Sequence, residues 1–274
     1  MRGTDILDTN TLERENMLKV RSIGLVVLAL ACMARTVAAQ SDEDPMLALR
    51  AEGYLGGAVV EPDGPVDDQS SFTGGGTGSL ALVRGLAHFQ ADIFGDSQDS
   101  DPEFSNVGVA GHFGVADPEV GALAFTLGYN RLDLGRSEDD LVRVGGEVEA
   151  YLSSVTLGMQ GGLFGTSSSV DDFYYLRGIL RFYPTDNLKL EAALGYADTG
   201  DDLAHARAQI EFRPESWWAS FFVRWESAYS DSLDQHAAVI GLKFMRDGGR
   251  TLEASDRKYF RDACGGLLLG ARTC

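Results

Sequence analysis

Residues 203–212 read LAHARAQIEF, and polar and apolar side chains alternate along them without a break. Ala204, Ala206, Ala208, Ile210 and Phe212 fall on one side, and His205, Arg207, Gln209 and Glu211 on the other. Successive side chains of a strand point to opposite faces, whereas a helix repeats every 3.6 residues, so a period of two predicts a strand with one oily and one charged face. The segment WWASFFVRWE sets Trp217, Ala219, Phe221, Val223 and Trp225 against Trp218, Ser220, Phe222, Arg224 and Glu226. LKLEAALGY does the same with Leu188, Leu190, Ala192, Leu194 and Tyr196 opposite Lys189, Glu191, Ala193 and Gly195.

The pattern recurs and predicts about twelve strands (a range of 10–14), near 47–60, 76–84, 86–94, 104–115, 121–131, 141–151, 154–163, 173–183, 187–197, 203–213, 216–227 and 235–246. The connections alternate in length. One set is short, such as Gly85, Leu152-Ser153 and Pro214-Glu215; the other is longer and acidic, holding 19 Asp/Glu and one Arg. Short turns at one end and long polar loops at the other is the build of a membrane β-barrel. Aromatic residues near the loop ends (Phe94, Phe104, Tyr129, Tyr174, Tyr196, Trp225) and near the turn ends (Phe182, Phe212, Trp217, Phe244) suit the two bilayer interfaces.

The N-terminus has a different texture. From Met17 a basic start (Lys19, Arg21) leads into an apolar run from Ile23 to Met33 and a small-residue stretch before Gln40. That is the order of a secretory signal, and the run is too short to span a bilayer as a helix. Residues 1–39 are therefore read as an upstream extension plus signal peptide with the true start at Met17, residues 40–246 as the barrel, and residues 247–274 as a periplasmic tail. A lipoprotein signal ending at Cys32 is the rival reading, and a buried helix at the edge of a soluble domain a third.

Composition narrows the classes. The 274 residues carry 23 Lys+Arg against 41 Asp+Glu, a net charge of -18, which repels phosphate and excludes nucleic acid as a partner. Hydrophobic content of 44% is too high for a disordered chain. The three cysteines cannot build a disulfide scaffold, although Cys264 and Cys274 can close a disulfide in an oxidising compartment.

The polar faces decide between a barrel and a soluble sandwich. They carry Arg50, Glu52, Gln90, Asp92, Arg143, Glu147, Arg177, Arg181, Lys189, Glu191, Arg207, Glu211, Arg224, Glu226 and Lys243, with His88, His112 and His205 among them. Acids and bases are nearly balanced there, unlike the loops, and arginine predominates over lysine. A confined lumen favours that choice, since guanidinium forms forked pairs with carboxylates across neighbouring strands and an unpaired charge is costly. Those fifteen residues are expected to line the pore. Strand edges cannot face lipid, so the sheet must close: the expected fold is all-β, a closed antiparallel transmembrane barrel of up-and-down meander.

On the signal, the dyad-repeat strands and the alternating connections, residues 47–246 resemble a Gram-negative outer-membrane β-barrel of porin-like type. The last strand, HAAVIGLKFM, is similar to the assembly signal of that class, although a tail of 28 residues follows it. The resemblance implies the outer membrane as location, its lipid and the barrel-assembly machinery as partners, small solutes as cargo, and a passive channel as function. A non-conducting structural or assembly barrel, its lumen plugged and its tail folded inside or docked to a periplasmic partner, is the alternative.

No catalytic constellation is legible. HExxH, GxSxG and metal-spaced cysteines are absent from the sequence, and no histidine has the serine and asparagine context of a barrel phospholipase. The expectation is no enzyme, no cofactor and no metal site. The acidic loop DSQDSDPE lacks the spacing of a twelve-residue calcium loop.

Overall fold

The computed structural model describes residues 47–62, 69–99, 104–133, 135, 138–166, 173–198, 202–231 and 233–262. The signal segment, Cys32, Cys264 and Cys274 lie outside them. Twelve strands follow in chain order: β1 (Leu47–Pro62), β2 (Gln69–Arg84), β3 (Ala87–Asp99), β4 (Phe104–Asp117), β5 (Gly121–Asp133), β6 (Glu138–Leu152), β7 (Val155–Thr166), β8 (Phe173–Thr185), β9 (Leu188–Asp198), β10 (Asp202–Phe212), β11 (Ala219–Tyr229) and β12 (Leu233–Arg246). Each pairs antiparallel with its neighbours in sequence, and β1 pairs with β12, from Leu49 opposite Arg246 to Pro62 opposite Leu233. The barrel is closed. One short helix, α1 (Leu252–Lys258), follows β12.

The alternation read from the sequence fixes which face is which. In β10 the charged set is buried and the apolar set is not: Arg207 and Glu211 are 6% and 0% exposed, Ile210 56%. Leu194 and Phe221 likewise point out. Two dozen Leu, Val and Ile side chains cover the outside, while the inside holds nearly all the buried Arg, Lys, Glu, Gln and His. A soluble sandwich would have the reverse arrangement. Eleven residues of β10, at about 3.3 Å rise and roughly 45° tilt, cover about 25 Å, the height of an outer-membrane apolar band.

Rings flank that band. At the turn end Phe89 and Phe113 lie 4.9 Å apart, and Trp218 stacks on Phe244 at 5.0 Å; at the loop end Tyr174 and Tyr196 lie 6.1 Å apart. Two of the expected belt residues are not in the belt. Phe94 faces inward and is buried, because Gly108 opposite it leaves space: a Cβ there would meet the Phe94 ring at 2.5 Å. Phe104 shares the inward parity of β4 and packs on an apolar cluster inside the loop end. The expected strand boundaries differ most in β2, which begins at Gln69 rather than 76, and in β3, which ends at Asp99 rather than 94; β11 begins at Ala219 rather than 216 because Trp217 and Trp218 belong to the turn. Glycine-rich text hides the first of these, since residues 74–76 have no side chain to alternate.

Candidate functional site: a charged lumen and the tail inside it

All fifteen residues expected on the inner wall do face inward, and neighbouring strands bring many of them together by register. Lys189 stands opposite Glu211, and Arg181 opposite Glu191. Glu211 accepts from Lys189 Nζ at 2.8 Å, Lys243 Nζ at 2.7 Å and Ser220 Oγ at 2.6 Å. Arg181 bridges Glu149 at 2.6 Å and Glu191 at 3.1 Å. Glu191 also meets Arg207 at 2.5 Å. Arg224 reaches Glu52 at 3.0 Å and Glu226 at 3.1 Å, with its guanidinium 4.7 Å from the centre of the Tyr54 ring. His112 is held between Asp92 at 3.0 Å and Glu147 at 3.1 Å. Gln90 donates to Asp92 at 2.8 Å, and Arg143 is buried in the same wall. In the low dielectric of the lumen these pairs offset one another's desolvation, and removing one partner leaves a buried charge exposed to no water.

The wall does not enclose an open bore. The chain leaves β12, turns back and enters the lumen. Asp247-Gly248-Gly249 makes the reversal: Gly248 and Gly249 have φ of 79° and 74°, a left-handed pair that side chains rarely adopt. Arg213 grips the Asp247 carboxylate through two bonds, of 2.7 and 3.2 Å. Thr251 then caps α1, its hydroxyl accepting from the Ala254 N–H at 3.3 Å. The N–H groups of Leu252 and Glu253 donate to Asn187 Oδ1 and the Asp186 carbonyl in the β8–β9 turn. Arg257 donates to the Ser153 carbonyl of the β6–β7 turn.

Beyond α1 the chain runs up the wall. Its carbonyls and side chains are matched one by one. His88 Nε2 meets the Tyr259 carbonyl at 2.9 Å. Gln90 Oε1 accepts from the Arg261 N–H at 2.7 Å, and Gln90 Nε2 and Arg50 both donate to the Arg261 carbonyl at 3.2 Å. Arg261 reaches Glu149 at 3.0 Å; Asp256 accepts from Lys189 at 3.0 Å and Tyr183 at 3.1 Å. Asp262 meets Arg177 at 3.0 Å and Arg207 at 2.5 Å. Burial by itself pushes the Asp262 carboxyl up, but the Arg207 and Arg177 guanidiniums more than reverse this and hold it well below the usual carboxylate range. Tyr259 and Phe260 pack on Ala48, Ala81 and Val83, and Arg50 sits 4.7 Å from the centre of the Phe260 ring. Among these groups lies a cavity of about 30 Å³, bordered by Arg207, Glu191, Arg181 and Asp262, enough for a water or two.

The described tail thus lies across the turn mouth with α1 and enters the barrel from there, burying Tyr259, Phe260 and Arg261, and wall residues read as pore lining contact it. Arg50, Gln90, Arg177, Lys189 and Arg207 do so directly. The loop half of the lumen is closed differently. Leu132, Leu141, Phe164, Phe173, Tyr175 and Leu203 form a buried apolar cluster there, with the Phe164 and Phe173 rings stacked at 4.8 Å.

Sequence reasoning missed the tail's partners. Asp256, Arg261 and Asp262 lie beyond the last alternating segment, and only the DGG turn signals that the chain reverses. Among the described residues no cluster of His, Cys, Asp and Glu could hold a metal.

No known family profile matches the chain, and no curated protein matches it in sequence. Solved structures do match in shape. An outer membrane channel from Pseudomonas putida F1 has a TM-score of 0.55 at 10% identity, over 76% of this chain and 98% of that one. The β domain of the Bordetella autotransporter BrkA gives 0.49 at 14% identity, over 73% of this chain and 99% of that one. The translocator domain of the autotransporter NalP from Neisseria meningitidis gives 0.48 at 12% identity, over 88% and 99%. At such identities the likeness is one of fold. With an apolar outer face and a charged interior, the chain has the closed twelve-strand architecture of the outer-membrane β-barrels.

Proposed function

We propose that the protein is a porin-like passive channel of the Gram-negative outer membrane for small hydrophilic solutes, held shut by its own tail. One observation supports this reading above the rest. The turn half of the lumen is filled by a segment that enters through a two-glycine turn, while the wall around it keeps a full set of fixed charges. Rings of fixed charge are what tune a channel's selectivity, and twelve strands enclose more room than eight strands, whose interior side chains fill. On this reading the surrounding partners are outer-membrane lipid and the barrel-assembly machinery, and no covalent chemistry is performed.

The experiment is a planar-bilayer recording of the full-length protein and of an Asp256→Ala/Asp262→Ala variant. The wild type is expected to be closed for most of the record, and the variant to open more often, because two of the tail's charged anchors are gone. A variant as silent as the wild type would overturn the channel reading. That outcome would favour the second reading, a non-conducting structural barrel. The apolar cluster around Phe164 supports it, since those side chains belong to the wall and do not leave with the tail.

A further inference from the structure

We propose that Arg177 and Arg207 form an oxyanion seat in the lumen, that Asp262 is its tethered occupant, and that a free carboxylate-bearing solute displaces the tail from it. The inference rests on the channel reading and names the solute class of that channel.

Two guanidiniums converge on a single oxygen of Asp262, at 3.0 Å from Arg177 and 2.5 Å from Arg207. Among the described residues, Asp262 is the one carboxylate ion-paired with Arg177. The other two nitrogens of that guanidinium, Nε and the second Nη, are buried with no hydrogen-bond partner among the described residues, and so is Nε of Arg207. Arg177 is 3% exposed and does not border the small cavity beside Arg207, so water does not readily supply its missing acceptors. A guanidinium is built to engage a carboxylate through a two-point fork, and here that capacity is left partly unused. Asp262 is also the least covered partner of the group, its side chain 19% exposed against 3% and 5% for the arginines. The occupant therefore satisfies the seat less completely than a free, rotatable carboxylate would.

The charges around the seat agree. Glu191 shares Arg207, but Arg181 also pairs with Glu191, and the Gln160 amide points at the Asp262 carbonyl rather than adding charge. With Asp262 withdrawn, Arg177 is left without a counter-charge among the described residues. A carboxylate solute entering from the lumen would restore it, and the tail would have lost its deepest described anchor. The tail then acts as a built-in competitor at an effective concentration set by its tether.

The test uses the full-length protein in detergent, titrated calorimetrically with succinate. Asp262→Asn keeps the side-chain size and removes the charge; it is expected to bind succinate about tenfold or more tightly than the wild type. Adding Arg177→Gln to that variant is expected to abolish the gain. Should the double change disturb folding, Asp262→Asn/Arg177→Lys keeps the positive charge, loses the fork, and is expected to bind more weakly than Asp262→Asn alone. Equal succinate affinity in the wild type and Asp262→Asn would overturn the seat, as would unchanged affinity on altering Arg177. Bilayer recording separates the two ideas: succinate binding without conductance overturns the channel reading alone, and conductance without succinate binding overturns the seat alone.

Discussion

The two halves of this lumen are closed by opposite means. The turn half is filled with Arg, Lys, Glu and Asp in fixed pairs, and a segment of tail is threaded among them. The loop half is filled by stacked rings and leucines, with Phe164, Phe173 and Leu132 all at most 3% exposed. The first arrangement depends on complementary charge and on a piece of chain that is not part of the wall. The second depends on apolar packing and on amide hydrogen bonds among side chains fixed to the wall, such as Asn106 to Asp96 at 3.1 Å. The difference teaches where an exchangeable contact is chemically feasible: a seat of paired charges is complementary to an anion, whereas an apolar plug can only repack.

The comparison can be broken most forcefully at Glu211, which two lysines and Ser220 share. Glu211→Ala leaves Lys189 and Lys243 facing each other in a buried site, and a loss of about 3–5 kcal/mol is expected, read by urea unfolding in vesicles. Phe164→Ala tests the other half. It removes a fully buried ring and should cost about 3 kcal/mol in the same assay, and it should leave tail docking untouched.

Acid separates the halves without mutation. The Asp262 carboxyl is depressed in the folded protein, so its contribution to tail docking is complete above the free value of about 3.9 and is lost as pH falls below that toward the depressed value. A spin label placed by Lys258→Cys should therefore stay immobile at pH 7 and gain mobility only in that acid window. The loop cluster, with no carboxylate in it, should show no such change. Thr251→Ala is the mildest perturbation. Losing the cap on α1 should weaken docking by about 1 kcal/mol, visible as faster proteolysis of the tail with unfolding of the barrel unchanged.

The sequence made most of the barrel legible and little of its closure, and the reason is physical. Period-two alternation survives wherever both faces carry side chains, as in β8 to β10, and there the wall residues fall on the expected side. It fades at Gly74-Gly75-Gly76, which shortened the expected β2; at Phe94 the belt reading follows strand-end position instead of parity, which puts the ring inside with His88, Gln90 and Asp92, where a glycine on the next strand receives it. The tail follows no repeat. Its positions are dictated by single matches, such as Arg261 with Gln90 and Glu149, between residues more than one hundred positions apart. Nothing local in the sequence encodes such a match. The apolar cluster is not legible for a related reason: Phe164, Phe173 and Leu203 lie on different strands, and only closure of the barrel brings them to one interior.

The whole account rests on which face of the sheet touches hydrocarbon. Nitroxide labels at Leu194→Cys and Gln209→Cys, in a full-length background with Cys32, Cys264 and Cys274 changed to serine and reconstituted in lipid vesicles, measure this directly by collision with oxygen, which partitions into lipid, and with a water-soluble nickel chelate. The label at residue 194 should collide with oxygen and be shielded from nickel, while the label at residue 209 should be shielded from both. Free access of nickel to residue 194 would mean that the apolar face is not in a membrane, and would contradict the account.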